Sequence, residues 1–234
     1  MKESEWWSTD DPVAMLFCVE AAASGRKLRL FACACCRRVW NEFVPPLVVG
    51  AVELAEAFAD GAVGESVLAR VRGVVTEHAA AAARSSGQGY LSYGYPAHVG
   101  RAAAAAAAPV PREAAHRAGV SAAHAANDSS PWDTLPRSYS DPEFVLERAA
   151  HADLLRDIFG NPFRPVRIKP AWLTSDVLAL ARGIYADLAF DRMPILADAL
   201  QDAGCDHDEV LAHCREAREH ARGCWLVDAL LGKS

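Results

Sequence analysis

Residues 26–40 read RKLRLFACACCRRVW, and this stretch decides the fold class. Leu28, Phe31, Cys35 and Val39 recur at spacings of three and four, the period of one helix face. Leu30, Cys33, Cys36 and Trp40 form a second stripe beside the first. A helix apolar on two adjacent stripes is packed on more than one side, so a layered helical core is expected around it. The five cations Arg26, Lys27, Arg29, Arg37 and Arg38 read as a solvated face of this helix, the usual fate of a charge run.

Helix punctuation continues on both sides of this stretch. Asp11-Pro12 supplies a capping carboxylate and a proline at the first helical position. Gly25 reads as the stop of that helix. The central helix is expected over 27–43, ended by Pro45-Pro46. Further helices are expected near 47–60, 65–84, 97–108 and 111–126. Alanine dominates residues 79–126. It favours helix but buries little area, so thin, closely packed helices are expected there as a flank to the main core. The stretch 85–96 reads as a break or a partly disordered segment, and 128–141 as a loop. Ser140-Asp141-Pro142-Glu143 has capping-box spacing and opens a helix that stops at Gly160. An irregular, proline-rich connector follows to residue 173. Helices are then expected at 175–190, 194–203, from Asp206 to Arg222, and at 224–231. No strand-like alternation bounded by turns appears. The reading is all-α: a single helical domain over 1–234, with about nine to eleven helices and the N- and C-terminal segments packed together.

Composition bounds the function classes. The chain has 234 residues, 52 % of them hydrophobic and 23 % charged, as in an ordinary globular domain. The net charge of −6 argues against a nucleic-acid partner. The opening MKESEWW lacks the basic-then-apolar pattern of a signal peptide, and no stretch matches a membrane span. Seven cysteines, three of them at 33, 35 and 36, suit free thiols or metal ligands in a reducing compartment. A cytoplasmic protein is expected.

The chemistry-bearing residues gather at the two ends. Zinc takes four thiolate or imidazole ligands, often as two close pairs. Cys33 with Cys36, and His220 with Cys224, have the spacing of one helix face. These four are the expected ligands of a structural zinc, with His213, Cys214 and Cys205 as further candidates. Two other readings stay open. Cysteine is also a small core hydrophobe. Cys36 beside Arg37 and Arg38 also has the setting of an activated thiolate, if His213 or His220 lies next to it as a base. Trp6-Trp7 reads either as a docking handle or as a segment folded back to close the core.

Three segments also carry a resemblance. Residues 26–40, residues 154–166 (LLRDIFGNPFRPV) and the tail 190–233 with GCWLVD at 223–228 resemble a large paralogous family of uncharacterised planctomycete bacterial proteins. The resemblance implies a bacterial, cytoplasmic protein and supplies no activity. The expected function is therefore a non-enzymatic helical scaffold or protein-interaction module. The alternative is a helical enzyme using a cysteine thiolate or a metal-bound water.

Overall fold

The computed structural model describes residues 1–42, 44–86, 94–127 and 141–233. Among these residues there are α-helices and short 3-10 turns but no strand. The helices are α1 (Glu3–Ser8), α2 (Pro12–Val19), α3 (Gly25–Arg38), α4 (Pro46–Ala59), α5 (Glu65–Ser86), α6 (Gly94–Ala106), α7 (Pro111–Asn127), α8 (Pro142–Phe159), α9 (Ser175–Asp187), α10 (Met193–Asp202), α11 (Asp208–Arg215) and α12 (Trp225–Leu231). The all-α expectation holds. No described helix is long and apolar enough to cross a membrane. The loop expected at 128–141 lies outside the described residues except for Asp141. Most of the break expected at 85–96 also lies outside them.

Several boundaries differ from the sequence reading, each for a local reason. Gly25 does not stop α2. It begins α3, and Ser24 caps it by accepting a hydrogen bond from the Lys27 N–H at 3.2 Å. α1 was not anticipated. Trp6 anchors it, with no exposed surface and its indole N–H donating to the Gly160 carbonyl at 3.0 Å. Trp6 therefore folds back into the core while Trp7 stays 43 % exposed. α11 ends at Arg215 and not at Arg222. That early end matters for the site below.

α3 is the hub of the larger core. Every residue from Leu28 to Cys36 is buried, and the helix packs against α4, α6, α7 and α8. The alanine helices α6 and α7 are not a flank. Ala102, Ala103, Ala106, Ala114, Ala115 and Ala118 have no exposed surface and belong to the same core as Phe31 and Leu155. Small side chains allow backbones to approach closely. A Cβ added at Gly100 would lie 2.9 Å from the Ala79 Cβ, so α5 and α6 touch almost backbone to backbone. A second core collects Val177, Ile184, Leu196, Leu200, Val210 and Leu226 from α9 to α12.

The five cations of α3 do not form a solvated face. Arg29 is 2 % exposed and donates to the carbonyls of Ala106 (2.6 Å) and Ala108 (2.8 Å), satisfying the end of α6. Arg37 pairs with Glu56 and Arg38 with Glu147. Arg26 and Lys27 both reach Asp228 of α12, at 2.7 and 2.8 Å, and that carboxylate is only 1 % exposed. Lys27 Nζ also donates to the carbonyls of Ile158 (2.9 Å) and Gly223 (2.6 Å). The two ends of the chain are thus packed together, through buried charge more than through shared apolar surface. The loop they clamp is tight. Gly223 sits at φ +97°, and a Cβ there would lie 3.1 Å from Leu30 of α3.

This geometry separates two glycines. Gly61 also has a positive φ (+75°) but faces open space. Gly61→Ala should cost about 1 kcal/mol, the left-handed backbone penalty. Gly223→Ala must also displace Leu30 and should cost about twice that or more. Urea-unfolding midpoints of the two variants check this; equal losses would mean that the Leu30 contact is irrelevant.

Candidate metal centre

Asp157 lies in the last turn of α8 with no exposed surface. This is a costly place for a carboxylate. Burial penalises the charge, and the C-terminal end of a helix is its negative end. Asp157 Oδ2 accepts from the Ala221 N–H at 2.9 Å. Its Oδ1 faces His220 Nδ1 at 2.6 Å and His213 Nε2 at 3.4 Å. Among the described residues, these two histidines are the only groups at ion-pair distance from it. The Cys224 Sγ closes the group, 3.1 Å from His213 Nε2. One ligand atom from each of Asp157, His213, His220 and Cys224 lies within 4.8 Å of all the others.

The early end of α11 builds this cluster. His213 is on the helix, while His220 and Cys224 lie on the loop that follows and folds back over α8. Cys224 is the N-cap residue of α12. The seven-residue spacing of His213 and His220 acts through a loop and not along a helix face. Their rings meet edge to face with centroids 4.9 Å apart. Gly223, clamped by Lys27 and Leu30, sets the turn that delivers Cys224.

Of the residues expected as ligands, the structure joins His220 and Cys224, adds His213 from the further candidates, and adds Asp157. Cys33 and Cys36 are not in this group. They sit in the larger core, whereas Cys224 belongs to the second. The Cys33 thiol lies 3.9 Å from the Val52 carbonyl. Cys205 and Cys214 are buried in the second core, outside the cluster. Burial, reinforced by Cys205, pushes the Cys214 thiol up to about 12.

Nor is Cys36 an activated nucleophile. Burial and the Glu56 carboxylate push its thiol up to about 12, because Glu56 takes the Arg37 charge that would have favoured thiolate. Asp157 is not legible in the sequence as a ligand, because it stands alone and far in the chain from the cysteine and histidine pairs. The signal available was a lone acid at the apolar end of the 154–166 segment.

The donor set fits a divalent cation. Two neutral imidazoles with one carboxylate and one thiolate balance a charge of +2, and nitrogen and sulfur donors favour zinc over magnesium or calcium. Tetrahedral zinc places its ligand atoms about 3.3–3.7 Å apart. The closest pair, Asp157 to His220 at 2.6 Å, would have to open by about 0.7 Å. Without an ion, burial pushes the Cys224 thiol well up, and Asp157 pushes it further. His220 Nε2 is also buried with no hydrogen-bond partner, but His220 faces Asp157 through Nδ1.

One contact opposes ion binding at His213 Nε2. The Trp225 indole N–H donates to His213 Nδ1 at 3.2 Å. Indole only donates, so neutral His213 must carry its proton on Nε2. A metal at Nε2 would move that proton to Nδ1, and Trp225 would then have to turn away.

Comparison with known proteins gives no matching family model, no similar curated protein and no similar solved structure.

A pH dependence follows for the metal-free protein. Burial holds His213 down to about 4, against 6.5 for an ordinary histidine. His98, half-buried beside His124 and Arg101, is also held to about 4. Between these values the unfolded chain takes up protons that the folded one cannot. Stability is fully present above pH 6.5 and is lost as pH falls toward 4. His213→Gln should flatten that slope, removing on the order of 1–3 kcal/mol of the difference between pH 7 and pH 4. Urea unfolding across this range measures it, and an unchanged slope would mean that His213 titrates normally.

Proposed function

We propose that this chain is a non-catalytic helical scaffold for a protein partner, with its second core locked onto the first by a structural zinc ion. Asp157, His213, His220 and Cys224 are the ligands, and the protein works in the bacterial cytoplasm. One observation carries the reading: four zinc-type donors from α8, α11 and the loop before α12 converge within 4.8 Å. Asp157 and Cys224 have no exposed surface. A closed set of four protein ligands is the mark of a structural zinc, whereas a catalytic one keeps a position open for water. The small cleft beside the cluster, between Trp7, Arg156 and Trp225, reaches His213 alone of the four.

The ion answers the problem of Asp157. It supplies a positive charge to Asp157, which among the described residues has no lysine or arginine at ion-pair distance, and it converts Cys224 to thiolate. It also ties the last turn of α8 to the chain entering α12, so it acts as a cross-link between the two cores.

Elemental analysis of the purified protein tests this. About one zinc per chain is expected, lost in Asp157→Ala and His213→Ala but retained in Cys33→Ser and Cys36→Ser. A strong chelator should lower the melting temperature of the parent protein and of the Cys33→Ser and Cys36→Ser variants, but not of Asp157→Ala or His213→Ala. Absence of zinc, with no response to added zinc or chelator, would leave a hydrogen-bonded cluster and remove the metal from the account.

Trp225→Phe separates the two states further. It removes the indole N–H that opposes the metal-bound tautomer, so zinc should bind this variant more tightly than the parent in a competition titration. Weaker binding would mean that Trp225 supports the ion.

A further inference from the structure

α6 lies between α5 and α7 and packs against both. Together the three helices form an open groove of about 850 Å³. Its floor is Ala104 and Ala105 of α6 with Ala108 just beyond its end, and its sides carry Arg72 of α5, Arg101 of α6 and Arg117 of α7. Every other cation singled out above is committed to a carboxylate or a carbonyl. Among the described residues, no ion pair or hydrogen bond engages the side chains of these three arginines. Among the described residues, Glu77 is the one acidic side chain on the groove wall. The chain as a whole carries −6, so three unpaired arginines around one apolar trough stand against the general sign of the molecule.

We propose that this groove docks an acidic amphipathic helix of a partner protein. The proposal rests on the interaction-module half of the reading above and names the face used and the chemistry it takes. Alanine floors let a helix approach closely, and helices are recognised by laying an apolar face into such a trough. Backbone groups in all three walls are already engaged within helices, so no edge is offered to an added strand. Among the described residues the groove lining has no aromatic side chain, so they offer no stacking platform of the kind single-stranded nucleic acid needs.

The register sets the charge pattern. Ala79 of α5 lies against Gly100 of α6, which places Arg101 near one end of the groove. Arg72 is two helical turns from Ala79, roughly 10 Å toward the Ala108 end. Acidic residues about seven positions apart on the incoming helix would meet both.

A fluorescein-labelled, helix-forming peptide of about 18 residues is the probe. It carries an alanine and leucine face with glutamates at i and i+7. Fluorescence anisotropy against the intact protein should give saturable binding that weakens with added salt. Binding should fall at least tenfold in the double variant Arg101→Glu, Arg117→Glu, and should be unchanged in Arg70→Glu, an exposed arginine of α5 outside the groove. The same peptide with lysine for glutamate should not bind.

Three results would overturn the proposal: no saturable binding, equal binding by the groove variant, or stronger binding of a single-stranded oligonucleotide or of vesicles rich in anionic lipid. Zinc content and melting temperature of the groove variant are read in parallel. They should match the parent, so a failed groove leaves the metal reading standing, and a failed metal leaves the groove to be judged on the peptide.

Discussion

A carboxylate without exposed surface at the negative end of a helix has to be compensated, and much of this structure is the compensation of Asp157. The Ala221 N–H, two imidazoles and a thiol are drawn to it. Holding them there requires the chain to leave the helix at Arg215, fold back over α8, and turn at Gly223 before α12. Removing one partner from a buried charged group typically costs 3–5 kcal/mol. The arrangement is therefore expensive to break and specifies one position for the C-terminal loop.

The second buried carboxylate, Asp228, does the matching task from the other side. Arg26 and Lys27 reach it from the first turn of α3. Burial alone would lower the Arg26 guanidinium, yet the hydrogen bonds and charge of Asp228, with Tyr185 and Asp60, hold it above its ordinary value. Lys27 also holds the carbonyls of Ile158 and Gly223, so the same lysine fixes the ends of the two segments that carry Asp157 and Cys224. The candidate metal centre and the charged clamp are neighbours in one junction between two apolar cores. This is why a single cation there would act on the relation of the cores and not on either core alone.

The division of labour among small residues follows the same logic. Alanine buries little area, yet α6 and α7 lie at the centre of the larger core because their methyl groups let α3 and α5 approach. The same thinness leaves a groove on their far side, lined by arginines that the fold itself does not use.

Local chemistry determined the helices. Asp11, Ser24 and Thr174 cap by side chain, prolines start α2, α4 and α8, and the paired stripes of residues 26–40 announced a helix buried on several sides. These signals act over a few residues and are legible without a fold. Half of the candidate centre, His220 and Cys224, was legible too, because the right donor types stood close together. What only the tertiary structure decided was the company they keep. Cys33 and Cys36 have ligand spacing but face an apolar core, since spacing along a helix does not say which neighbours a face meets. Asp157 is 56 residues before His213 in the chain, and its role exists only because the loop folds back upon it. The five cations of α3 looked solvated for the same reason: their partners, Asp228 and Glu147 and the carbonyls of α6, lie far away in sequence. Charge compensation across a folded interface is a long-range constraint, and the local pattern does not contain it.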